Sequence, residues 1–183
     1  MTPLDNGLLL SASLRLGLQV IETLPPVAER EALARQNERV LRGLLALEES
    51  PERGEDEEGL HPELQRLDLK LGLLMELVGE LLGRELDQPP FRALRFNAHG
   101  LACELDTAPP PPGSLLALEL YLHDSLPRPL RLYGEVLPHG PDSDNLLVAF
   151  RDLPDTLADL IEKYIFRQHR REIARRREGG DRR

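Results

Sequence analysis

The sequence predicts an α+β protein: a small antiparallel β-barrel with a C-terminal helix, preceded by two long helices that form an oligomeric bundle. Three observations predict it. Leucine recurs at heptad spacing before residue 86, short alternating segments bounded by Pro, Gly or Asp fill residues 91–151, and the last amphipathic segment turns arginine-rich. The expected division is an arm or strand over residues 1–26, a helical oligomerisation region over 27–86, the barrel with its helix over 90–177, and a flexible basic tail over 178–183.

Residues Leu14, Leu16, Leu18 and Val20 alternate with Arg15, Gly17 and Gln19, the period of a half-buried strand or extended arm. Pro25 and Pro26 break it, and proline suits the first turn of a helix because its missing N–H would be unpaired there anyway. A helix from Val27 to about residue 49 carries Leu33, Val40, Leu44 and Leu47, with Asn37 in the same heptad series. An asparagine at such a position either fixes register and oligomer state, or sits half-exposed on an ordinary amphipathic helix. Five acids and one arginine make Pro51–Gly59 a solvated connector.

Pro62 opens the second helix, which reaches about Glu85. Leu64, Leu67, Leu71, Leu74, Val78 and Leu81 follow one another at spacings of 3, 4, 3, 4 and 3. Leu69, Leu73, Met75, Leu77 and Leu82 widen that seam. Such a face needs partners on at least two sides, so a homo-oligomer is expected, its breadth favouring four chains. The alternative is a closed hairpin of the two helices within one chain.

After Pro89-Pro90 the period becomes two. Phe91, Ala93 and Arg95 fall on one side, Arg92, Leu94 and Phe96 on the other. Asn97-Ala98-His99-Gly100 reads as a turn, with Gly100 the expected positive-φ residue. Leu101–Leu105, Leu115–His123, Leu130–Leu137 and Asn145–Arg151 are further strands, and Leu153–Arg177 a final helix with Leu157, Leu160, Ile161, Tyr164 and Ile165 on one face.

Chemistry is sparse. His123, Asp124 and Ser125 are adjacent, which points their side chains apart, so they are not a triad. The five histidines show no metal-ligand spacing, and no phosphate-binding glycine loop or nucleophile elbow occurs. Cys103 shares a side with Leu101 and Leu105 and reads as a core residue. The expectation is a non-enzyme with no cofactor and no metal. Net charge is −9, unevenly spread: Tyr164–Arg183 holds eight arginines against three acids, a net +5, leaving −14 on the rest. That balance disfavours nucleic acid as a partner. No apolar run is long enough to span a bilayer, and the expected location is cytoplasmic.

The stretch Phe91–Arg177 resembles a PilZ domain, the family of cyclic di-GMP receptors. Arg95-Phe96-Asn97-Ala98-His99-Gly100-Leu101 carries the likeness to the family's strand–turn–strand element, and the closing helix fits it. The heptad helices resemble those of an atypical branch that oligomerises through such an insertion. The resemblance implies a binding site made of an RxxxR segment and an Asp/Asn-x-Ser-x-x-Gly turn, the arginines forking onto phosphate. This chain departs from both. Aligned on Gly100, Arg95 replaces the Asp/Asn and Asn97 the serine; aligned on Asn97, His99 replaces the serine and Ala102 the glycine. Arg66-Leu67-Asp68-Leu69-Lys70 lies within the heptad helix, and Arg92 and Arg95 are three apart, not four.

The resulting expectation is a non-catalytic adaptor in cyclic di-GMP signalling. Weak or absent nucleotide binding at the degenerate set Arg92, Arg95, Asn97 and Gly100 goes with action through an unidentified protein partner as a homo-oligomer. The alternative is a genuine cyclic di-GMP receptor with a non-standard site at those residues. The resemblance further implies an output in motility, attachment or virulence.

Overall fold

The computed structural model describes residues 2–48, 66–67, 70–74, 77, 88–123, 128–138 and 145–180. Its centre is a closed antiparallel barrel of six strands: β1 (Leu10–Ile21), β2 (Phe91–Phe96), β3 (Gly100–Glu104), β4 (Leu115–Tyr121), β5 (Leu130–Val136) and β6 (Asn145–Arg151). Around the barrel the order is β1-β2-β3-β6-β5-β4, with β4 returning to β1. Closure leaves no free edge, which removes the usual hazard of an exposed strand. The alternating segment before the helices is thus a strand, β1, bonded to β2 over Leu10–Arg15 and to β4 over Arg15–Ile21. Residues 1–26 supply barrel structure, and the barrel extends beyond residues 90–177.

The core follows from strand alternation. Leu16, Leu94, Phe96, Leu101, Cys103, Leu116, Leu118, Leu120, Leu130, Leu132, Val136, Leu146 and Val148 point inward and are buried. Helix α2 (Asp155–Gly180) covers the barrel with Leu157, Ile161, Tyr164 and Ile165, and the Tyr164 hydroxyl donates to the Leu122 carbonyl at 3.0 Å.

Helix α1 (Val27–Glu48) packs on β5 and α2. Its buried face is Ala34, Asn37, Val40, Leu41, Leu44 and Leu45, so the stripe read from Leu33, Val40 and Leu44 is turned onto its own chain. Asn37 is 2% exposed and neither half-solvated nor free to set an oligomer register. Its Nδ2 donates to the Arg131 carbonyl at 2.6 Å, and its Oδ1 accepts the Arg131 N–H at 3.0 Å. An ion pair between Arg30 and Asp152 ties the start of α1 to the corner where β6 becomes α2.

The second heptad region is described in part. Residues 66–67, 70–74 and 77 are helical, and Leu67, Leu71, Leu73, Leu74 and Leu77 are each more than half exposed. The seam positions Leu64, Val78 and Leu81, the flanking Leu69, Met75 and Leu82, and the acidic connector Pro51–Gly59 lie outside the described residues. The self-association reading therefore rests on this segment and not on α1.

Candidate functional site

The residues singled out for ligand binding surround β2 and the β2–β3 turn. Strand parity separates the two arginines: Arg95 is exposed on the outer face, and Arg92 is half-buried on the inner side. Arg92 Nη1 reaches the Asp106 carboxylate at 3.3 Å and the Glu104 carbonyl at 3.5 Å, while its Nε is buried without a hydrogen bond. The two guanidiniums therefore do not converge on one anion. Arg66 and Lys70, the other candidate pair, lie on the exposed helical segment between α1 and β2.

Asn97 is 1% exposed and fully engaged. Its Oδ1 accepts the N–H groups of His99 at 2.8 Å and Gly100 at 3.0 Å, the side-chain turn that asparagine forms readily. Its Nδ2 donates to the carbonyls of Pro3 at 2.9 Å and Asn6 at 2.7 Å. The N-terminal turn Pro3–Asp5 thus lies on the β2–β3 turn, with Thr2 N–H held by the Asp5 carboxylate at 2.6 Å and Gly7 at φ 87° leading into β1. Every hydrogen-bonding position of this amide is met from within the chain.

Gly100 does not have the positive φ expected of it. It is the first residue of β3, and the glycine is required by space: a Cβ would overlap the Val148 carbonyl oxygen and lie 3.1 Å from Pro3. Among the described residues, positive φ falls instead at Gly7, Gly113 and Asp152. The pattern Asn-x-x-Gly locates the turn, but the strand packed against Gly100 is visible only in three dimensions.

Cys103 is buried at 3% exposure, and desolvation raises its thiol from 9.0 to about 11, partly offset by the Arg92 charge. Such a thiol is neither nucleophile nor ready metal ligand. Among the described residues, no group of His, Cys, Asp and Glu is arranged to hold a metal ion, and no helix is long and apolar enough to cross a membrane.

A sequence-family model, the atypical PilZ domain described as a cyclic di-GMP receptor, matches residues 41–178. A search of curated proteins gave no match. Among solved structures, the chain is similar to a pathogenic protein from Xanthomonas campestris, described as a new tetrameric PilZ domain self-assembled via an unusual helical bundle. The two share 29% sequence identity and a TM-score of 0.71, over 92% of this chain and 91% of that one. With the family match spanning most of the sequence, and the closed barrel and its C-terminal helix in agreement with it, the chain belongs to the atypical PilZ family.

Proposed function

We infer that this chain is a non-catalytic adaptor of cyclic di-GMP signalling that acts through protein contacts, as a homo-oligomer, without tight nucleotide binding of its own. The observation that carries the reading is the engagement of Asn97. All four hydrogen bonds of its amide go to Pro3, Asn6, His99 and Gly100, so the turn offers no amide edge to a guanine. The opposed directions of Arg92 and Arg95 support it, because a phosphate grip needs both guanidiniums on one side.

The oligomer part of the reading draws on the exposed leucines of residues 67–77 and on the helical bundle of the similar Xanthomonas tetramer. A tetramer is the expected assembly. A cytoplasmic location, read from the sequence, and an output in motility or attachment, taken from the family, complete the reading.

Calorimetric titration with cyclic di-GMP tests it. No saturable heat is expected at micromolar nucleotide; a dissociation constant below about 1 μM, roughly 8 kcal/mol of binding, would replace this reading with a receptor using a non-standard site.

A further inference from the structure

Helix α2 changes charge along its length. Asp155–Lys163 holds three acids and one lysine, a net −2, whereas Tyr164–Arg183 is +5. On the side turned away from the buried Leu157, Ile161, Tyr164 and Ile165, the helix presents Asp155, Asp159, Glu162, Phe166, Arg170 and Ile173, at spacings of 4, 3, 4, 4 and 3. All six are exposed, Phe166 at 51%. Neighbouring elements bound this face. Along one border Thr156 Oγ1 donates to the Glu38 carboxylate at 3.1 Å and Arg167 to the Leu45 carbonyl at 2.7 Å, both on α1. Along the other the His169 ring meets the Leu9 carbonyl at 2.9 Å, and Leu8 beside it is exposed. The face between them is acidic before Phe166 and basic after it.

That order of charges selects the occupant. A second α2 laid parallel would set carboxylate on carboxylate and arginine on arginine. Laid antiparallel about Phe166, the two signs exchange, because Glu162 and Arg170 each stand four residues from the centre. Arg170 of one copy then comes level with Glu162 of the other and within one turn of its Asp159, and the two-fold axis makes this contact twice. Phe166 meets its own copy at the axis, where each ring covers the other. Lys163, also exposed, borders the face on the α1 side and keeps its ammonium in water. A helix of one sign, a nucleic acid or an anionic bilayer would match only half of this face and be repelled by the other half.

We propose that the outer face of α2 docks a second copy of this chain, α2 against α2, antiparallel and centred on Phe166. The contact is separate from the exposed leucines of residues 67–77 and adds a second surface to the assembly. One helix face is smaller than a stable dimer needs on its own, so the contact orients chains that the leucine segment gathers. In that respect it rests on the homo-oligomer reading above.

The test is disulfide crosslinking of the full chain under mild oxidation. Cys103 is buried at 3% exposure, so a cysteine added on the surface reports alone. Phe166→Cys should give a covalent dimer, because that residue meets itself at the axis. Asp155→Cys should crosslink about tenfold more slowly or worse, since the two copies of residue 155 stand about 33 Å apart along the paired helices. Arg170→Glu should slow the Phe166→Cys crosslink about tenfold, and adding Glu162→Arg should recover part of the loss, because the charges are then exchanged on both copies. Far-ultraviolet circular dichroism should be the same throughout. Equal rates at residues 155 and 166, an Arg170→Glu chain that crosslinks as fast as its parent, or no recovery in the charge-exchanged chain overturns the proposal. The two readings fail separately: a parent chain that is monomeric by light scattering removes assembly through residues 67–77, while the crosslink at residue 166 answers for α2 alone.

Discussion

Asn37 on α1 stands in for a missing strand residue opposite Arg131. Strand β6 ends at Arg151, which pairs with Tyr133 on β5, and the chain then turns away at Asp152, whose φ is 53°. Arg131 is the next β5 residue whose backbone faces β6, so its N–H and C=O would be orphaned at the end of the ladder. One side-chain amide takes both.

Asn37→Leu keeps the volume but leaves two backbone groups unmet, at about 1–3 kcal/mol each. The expected loss is about 2–6 kcal/mol in urea unfolding. Asn37→Asp should be at least as damaging, because a carboxylate would face the Arg131 carbonyl. A leucine variant as stable as the parent would show that water replaces the amide.

The N-terminal turn should be releasable from the barrel by one substitution. Asn97→Ala removes the donor to the Pro3 and Asn6 carbonyls and the acceptor for two N–H groups. Faster hydrogen exchange at the backbone amides of residues 97–100, and protease cleavage near Gly7, should follow together with a loss of about 2–4 kcal/mol. Gly100→Ala should cost about 1–3 kcal/mol or more through overlap with Val148. Unchanged exchange in the Asn97→Ala chain would mean that Pro3–Asp5 is held by other contacts.

Assembly should fail when charge enters the exposed leucine segment. Leu71 and Leu74 are 52% and 58% exposed, and each leucine fully buried on association contributes about 1.5–3 kcal/mol. Leu71→Asp with Leu74→Asp should give a monomer by light scattering while far-ultraviolet circular dichroism keeps the barrel signature. A parent chain that is itself monomeric at micromolar concentration would remove the oligomer from the proposed function.

Cys103 makes stability depend on alkaline pH. Its thiol is held up at about 11 against the ordinary 9.0, so the folded chain retains that proton more tightly than the unfolded chain. The contribution is fully present below pH 9 and is lost as pH rises toward 11, roughly 2–3 kcal/mol in all. Cys103→Ala should flatten this part of the stability–pH curve relative to the parent. The parent thiol should resist alkylation at neutral pH until the protein is unfolded. Equal slopes in the two proteins would mean that the thiol is solvated.

The barrel strands were legible because their alternation is local: Leu14 to Val20, Phe91 to Phe96 and Asn145 to Arg151 each declare two faces without knowledge of their partners. Closure was not, since nothing near Val20 says that it pairs with Leu116. The α1 stripe was visible, but its destination was not. Heptad spacing looks the same whether the stripe meets another copy or its own β5, and only the orphaned backbone of Arg131 explains why Asn37 sits there. The turn at Asn97 was found from its residue types. That its amide is occupied by Pro3 and Asn6 depends on a contact across more than ninety positions, beyond any local pattern.

Placing β1 ahead of the helices has a consequence for biosynthesis. Ile21 and Phe91 bound a long excursion, yet the strands they belong to are neighbours in the closed sheet. A ribosome making the chain from its N-terminus releases β1 well before β2, β4 or any other strand exists to pair with it. Closing so large a loop adds only logarithmically to the entropic cost, but it delays the barrel until nearly the whole chain is free. Until then Leu14, Leu16 and Leu18 stay uncovered, so the early part of the chain is the stretch on which a chaperone would act, because β1 is made first and must wait for β2 and β4.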